Sequence, residues 1–285
     1  MKNILVPTDF SACASNATEA ALDLAVRYNA RIHLYSKIDI RYDWTTMSEE
    51  EKTAHPEDLR IIQNTELLFS EWKAKAMARG VEIKTVWSAG KLIENIIDYC
   101  NSYAIDFMVM GSHGASGKNE FFIGSNTQRV VRMVHCPVLI IKNDVQDYSL
   151  DKVVFASTFD EVEKKVFQYL LDFVRPFEPV IHLVTINTSG WFGQPYLLVK
   201  EAMDDFKALC GTLECHTHFY RDWTPDAGIR SFSREIGADL IAISNQQRHP
   251  LKRMFVGSNV EALVNHAEVP VLSIDLTSIT VEAES

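Results

Sequence analysis

Two rhythms alternate along this chain: short apolar runs, and longer stretches whose hydrophobic residues fall three or four positions apart. The runs Ile4-Leu-Val6, Arg31–Ser36, Glu82–Trp87, Asp106-Phe-Met-Val-Met110 and the segment after Pro137 read as strands. Asp106–Met110 is too continuously apolar for a half-exposed strand, which places it in a parallel sheet covered on both faces. Between the strands, Ala17, Ala21, Leu24, Ala25 and Tyr28 share one helix face. Leu59, Ile62, Phe69, Trp72 and Ala76 share a second, in a helix expected from Pro56, with Glu57 and Asp58 in its first turn and Gly80 as its stop. Ile93, Ile96, Ile97 and Cys100 define a third, and Val130, Val131 and Val134 a fourth.

The whole pattern occurs twice. At an offset of 133, Asp106–Gly111 falls on Asp239–Ser244, Gly124-Ser125 on Gly257-Ser258, and Pro137–Ile141 on Pro270–Ile274. Near the start, Asn3–Thr8 matches Lys152–Ser157 at an offset of 149, so the first copy carries extra chain. The polar stretch Arg41–Glu57 is its expected home, as a lid, a partner surface or a disordered excursion. Second-copy strands are expected near 152–156, 180–186, 214–220, 239–244 and 270–274. Asp160 with Glu163, and Ser258 with Glu261, have capping-box spacing and signal helix starts. Alternating strands and helices with right-handed crossovers give an α/β fold of two doubly wound parallel units, 1–146 and 147–285. Asn143–Leu150 is the junction, too short for free motion of the units.

Composition narrows the chemistry. The chain has 285 residues, enough for two cores, and 28 Lys+Arg against 38 Asp+Glu give a net charge of −10, which opposes a nucleic-acid or anionic-membrane surface. The amino terminus reaches Asp9 before a secretory apolar region forms and no run approaches a membrane span, so a cytoplasmic chain is expected. Five cysteines without dense spacing fit reduced thiols. Cys215, His216 and His218 lie in an alternating stretch where successive side chains face opposite ways, and with no fourth ligand they are expected to be a chance cluster, not a metal site.

The candidate site is a glycine loop. Gly111 and Gly114 follow the buried strand, and Gly124-Ser125 opens a helix with Gln128 at capping-box spacing. Missing Cβ atoms and free amides at a helix start suit a phosphate, while an ordinary βα turn remains the bland alternative. Asp9, after the first strand, would face this loop if the two strands are neighbours, where a carboxylate suits ribose hydroxyls or an adenine edge; otherwise it is a turn residue before Ser11. A Walker A loop fails, because five residues separate Gly111 from Gly117 and Asn119 follows Lys118. The dinucleotide fingerprint fails too, since Pro7-Thr8-Asp9-Phe10-Ser11 stands where its glycines should.

Pro7-Thr8-Asp9-Phe10-Ser11, with Gly111-x2-Gly114-x9-Gly124-Ser125, resembles the ATP-binding branch of the universal stress protein family, and the doubled chain resembles its tandem members. The resemblance implies Rossmann-like, five-stranded parallel sheets in the order 3-2-1-4-5, packed as a pseudo-dimer. It implies adenine and ribose near Pro7, Thr8, Asp9, Lys37 and Met110, and phosphates against Gly111, His113, Gly114, Gly124, Ser125, Asn126 and Thr127. ATP, ADP or AMP is the implied ligand, with Mg or Mn bridging phosphates; no protein side chain is assigned to that metal.

In the second copy Asp9 becomes Thr158, Gly111 becomes Ser244 and Gly114 becomes Gln247, so the nucleotide is expected mainly in the first unit. Arg248, His249, Lys252 and Arg253 read first as a solvated loop and second as cations that hold a phosphate by charge. No catalytic residue stands out, since His113 and Lys118 lack partners recognisable in sequence. A nucleotide-binding regulator of stress response ranks first, a slow Mg-dependent ATPase second, and a nucleotide-free protein-interaction scaffold third. A homodimer of tandem chains and the identity of any protein partner stay open.

Overall fold

The computed structural model describes residues 1–40, 44, 46–113, 124–142, 148–188, 195–245, 262–263 and 265–275. In the first unit, strands β1 (Asn3–Thr8), β2 (Arg31–Lys37), β3 (Ile83–Ser88), β4 (Phe107–Gly111) and β5 (Val138–Ile141) alternate with helices. These are α1 (Ala12–Tyr28), α2 (Glu49–Thr53), α3 (Pro56–Ala78), α4 (Leu92–Ser102) and α5 (Ser125–Met133). The second unit has strands β6 (Lys152–Ala156), β7 (Val180–Asn187), β8 (Cys215–Arg221), β9 (Leu240–Asn245) and β10 (Val271–Asp275). Its helices include α6 (Lys164–Val174), α7 (Tyr196–Leu209) and α8 (Pro225–Ile236).

Within each unit the strands are parallel and ordered third, second, first, fourth, fifth, as the resemblance implies. The two half-sheets then fuse into one ten-stranded sheet, because β5 and β10 pair antiparallel. The register reveals the pseudo-symmetry: Leu139 pairs with Leu272, its own counterpart at the offset of 133, and Val138 and Ile140 pair with Ser273 and Val271 around it. A local two-fold axis therefore runs through the Leu139–Leu272 pair. Fusion at these strands removes two open sheet edges that isolated units would expose.

Each sheet face buries one core shared by both units. On one, α1, α3, α6 and α7 bury Leu24, Phe69, Trp72, Phe167 and Phe206 against the strands. Tyr28 and Phe107 of the first unit lie 5.9 and 5.2 Å from Phe173 of the second, ring to ring. On the other face, α4, α5 and α8 bury Ile96, Val130 and Phe232. Polar ties cross the seam as well: Asn245 Nδ2 donates to the Val131 carbonyl at 3.1 Å, and Lys142 Nζ donates to the carbonyls of Asn265 and Ala267. Burial lowers the Lys142 pKa, so this ammonium depends on those carbonyls.

The repeat extends to unusual backbone. Phe10 and Phe159, equivalent at the offset of 149, both have φ of 60°, a conformation rare for a bulky residue. Each is held the same way: Thr8 Oγ1 accepts from Phe10 N at 3.0 Å, and Ser157 Oγ accepts from Phe159 N at 2.7 Å. The rings anchor edge-on against Phe69 and Phe206. Asn29 and Glu178, again equivalent, are likewise left-handed.

Two expectations of helix capping are corrected. The amino-terminal cap of α5 is Gly124, with Ser125 already inside the helix and no side chain bonded as a cap. Asp160 opens a 3-10 turn at Glu161–Glu163, and no side-chain cap bond forms there either. Capping-box spacing is met in both places, but Ser125 starts one residue late, and the Glu163 carboxylate is engaged elsewhere. Within the extra stretch of the first copy, Ser48 and Glu51 do form a reciprocal capping box and hold the short helix α2. Residues 41–43 and 45 of that stretch, and much of the Asn143–Leu150 junction, lie outside the described residues; Tyr148 and Leu150 are buried.

Candidate functional site

Strands β1 and β4 are neighbours, so the strand order reverses between them and their carboxyl ends open one crevice. Pro7 and Thr8 end β1. Thr8 is buried and fixes the turn, while Asp9 is exposed, its Oδ1 accepting from Ser11 N at 3.1 Å. Ser11 caps α1 through Ala14 N. The turn role considered for Asp9 is thus real, and it leaves the carboxylate at the mouth of the crevice.

Across from it, Met110 and Gly111 end β4. Gly111 is still a strand residue and is absent from the positive-φ glycines, so turning is not its purpose. A Cβ there would meet the backbone carbon and sulfur of Cys13 at 3.0 Å. Its missing side chain lets the first turn of α1 pack against the end of β4, a packing reason that the phosphate argument did not foresee. Cys13 Sγ then lies 3.4 Å from the Ile141 carbonyl and 3.7 Å from Ser112 Oγ.

After β4, the chain is clamped to the start of α5. Gly124 N donates to the Ser112 carbonyl at 2.8 Å, and Thr127 Oγ1 donates to the Gly111 carbonyl at 3.0 Å. Thr127 is buried, so its hydroxyl locks the loop instead of facing outward. Ser125 and Asn126 are exposed in the first turn of α5, where the amides and the positive dipole end favour an anion. His113 is half-buried with Nδ1 3.0 Å from Ser112 Oγ. Lys37, at the end of β2, is ion-paired with Asp39. Gly114 lies outside the described residues. Among the sequence-predicted residues that are described, Asp9, Ser125 and Asn126 present themselves to solvent. Thr8, Met110, Gly111 and Thr127 build the walls.

Among the described residues, the second unit's crevice differs at the ends of its first and fourth strands. Ser157 and Thr158 follow the end of β6, and the Glu163 carboxylate, 5% exposed, accepts from the Ser157 hydroxyl and from Thr158 Oγ1 at 3.4 Å. The second unit thus buries a carboxyl group beside these residues, where the first has Ala14 at the equivalent position. Sequence reading missed it, because Glu163 sits at capping-box spacing. Ser244 replaces Gly111 and buries an Oγ with no hydrogen-bond partner in the described structure. Gln247, Arg248, His249, Lys252, Arg253, Gly257 and Ser258 lie outside the described residues.

Comparison with known proteins follows the same division into two units. The model of the universal stress protein family matches twice, over residues 1–142 and 149–274. The chain belongs to the universal stress protein family. A single-unit relative from Methanocaldococcus jannaschii is 28% identical over 149 residues, covering 50% of this chain and 82% of that protein. A universal stress protein of Synechocystis aligns over 96% of this chain and 99% of its own length at 22% identity. A solved universal stress protein from Archaeoglobus fulgidus superposes with a TM-score of 0.75 over 96% of this chain and 98% of its own, at 22% identity, a likeness of fold. The tandem arrangement is therefore shared across the full length of this universal stress protein. No helix among the described residues is long and apolar enough to cross a membrane.

Proposed function

We propose that this universal stress protein is a regulatory protein that binds one adenine nucleotide, in the crevice between β1 and β4 of its first unit. One observation carries the reading: the uncapped start of α5, locked to β4 by Gly124 and Thr127, stands across from the exposed Asp9 carboxylate. Helix-end amides suit phosphate oxygens, and a carboxylate suits hydroxyls or an exocyclic amine. Pro7 and Met110 give apolar surface for a base, and Asn126 and Ser125 give further donors. Mg or Mn would neutralise the phosphates, with Ser125 as a protein oxygen on that edge. Residues of this kind bind and orient a nucleotide.

Mass spectrometry of the purified, denatured chain tests it. A copurifying adenine nucleotide at one per chain, lost in Asp9→Ala, supports the reading; a chain that neither copurifies with nor takes up ATP, ADP or AMP refutes it. Hydrolysis that needs magnesium and disappears in Asp9→Ala would promote the enzyme reading over the regulatory one.

A further inference from the structure

Three histidines gather at the opposite end of the second unit's sheet. His182 of β7 is paired in register with His216 of β8, and His218 lies two residues further along the same strand. Alternation along β8 sends Cys215 to one face and His216 and His218 together to the other, so the metal argument from Cys215 fails while the histidines converge. His182 joins them from the neighbouring strand, a ligand that lies 34 residues before His216 and that sequence spacing does not reveal.

We infer that the imidazoles of His182, His216 and His218 form a binding site for a divalent transition ion of the zinc type. His182 Nδ1 already lies 3.0 Å from His218 Nε2. The ring centres are 5.2 Å apart for His182–His218, 5.5 Å for His182–His216 and 6.4 Å for His216–His218. With Zn–N bonds of about 2.0–2.1 Å, ligating imidazole centres stand roughly 5 to 5.5 Å apart, so two of three distances fit and His216 must move inward by about 1 Å. Among the described residues no three ligating atoms yet converge on one point, and His216 has the freedom to complete the set, its side chain being 48% exposed.

The surroundings suit the ion. Glu214 Oε1 lies 2.7 Å from His216 Nε2, the carboxylate–histidine pairing that orients a ligand and leaves Nδ1 for the metal. Phe232 of α8 walls the cluster at 4.7 Å from the His218 ring. His182 and His218 are partly buried between β7, β8 and α8, and their close ring nitrogens face one another across the paired strands. Lys152, a nearby cation, is tied to the Ile236 carbonyl at 2.8 Å. An all-imidazole donor set favours zinc, copper or nickel over magnesium or calcium.

The first unit provides a control, because His33 is the equivalent of His182 at the offset of 149. There Nδ1 meets the Tyr99 hydroxyl at 2.8 Å, and Lys84 stands at the strand position of His216. Calorimetric titration of the chelator-treated full chain with Zn2+ at pH 7.5 tests the site. Expected are one strong equivalent, a loss of affinity of about 100-fold or more in His182→Gln with His218→Gln, and about tenfold in Glu214→Gln. His216→Gln, at an exposed position that keeps the fold, is expected to weaken binding comparably, and His33→Gln not at all. Zinc affinity unchanged in His216→Gln and the double variant, or lost equally in His33→Gln, overturns the assignment.

Discussion

The two units share strand order, left-handed turns and even the serine or threonine that holds each turn, yet their crevices are built oppositely. In the first, Gly111 lets α1 begin as a regular helix packed on the end of β4, with Cys13 5% exposed. In the second, Ser244 carries the Cβ that Gly111 lacks; the corresponding start is a 3-10 turn, and Val162, the counterpart of Cys13, is 52% exposed. The first mouth presents Asp9 outward, and the second buries Glu163 inward. A duplicated fold thus keeps its frame through a few backbone-holding contacts, while the side chains at the strand ends diverge, and on the proposed function that divergence confines the nucleotide to the first unit.

The largest break in the comparison is expected from Gly111→Val. Its side chain would collide with the Cys13 backbone, destabilising the chain by about 1–3 kcal/mol through overpacking and abolishing nucleotide uptake. Ser244→Gly, its mirror, is expected to leave binding unchanged. Denaturant titration and ATP calorimetry on the pair measure both effects. Next, Asp9→Ala is expected to weaken ATP by about ten- to a hundredfold, the value of roughly 1.5–3 kcal/mol for a hydrogen bond to a charged group. Stability should change little, and Thr158→Asp should not create a second site. Thr127→Val is smaller: loss of the hydroxyl that holds Gly111 should lower stability by about 1 kcal/mol and loosen nucleotide binding only through the loop.

The smallest effect concerns pH and the histidines shared by both units. His33 and His182 are each held near 4 by burial first, against 6.5 when free. A depressed histidine pKa means that the unfolded chain binds more protons between these values, so stability is full above about pH 6.5 and falls as pH drops toward 4. Replacing His33 by Gln should flatten part of that slope in denaturant titrations at pH 4.5 to 7. An unchanged slope would show that the buried imidazole does not govern the acid limb.

Much of the fold was legible because its signals are local. Continuous apolar runs marked β4 and β5, Pro56 and Gly80 bracketed α3, and offsets of 133 and 149 exposed the duplication. The fusion of the half-sheets was not legible, since pairing of β5 with β10 depends on contacts between segments more than a hundred residues apart. In the site, adjacency of β1 and β4 was a condition that the residues alone left open, and only the strand order implied by the family resemblance supplied it. The packing role of Gly111, the inward hydroxyl of Thr127 and the buried carboxylate of Glu163 were not legible, because one-dimensional spacing carries no record of which neighbour a side chain meets. His182 escaped notice for the same reason: strand pairing, not sequence proximity, brings it to His216 and His218.

The most direct measurement is a crystal structure of the full chain grown with ATP and magnesium. The account predicts one nucleotide per chain, its phosphates at the start of α5 and its ribose or base beside Asp9. A nucleotide seated instead at the ends of β6 and β9, or one in each unit, would contradict it.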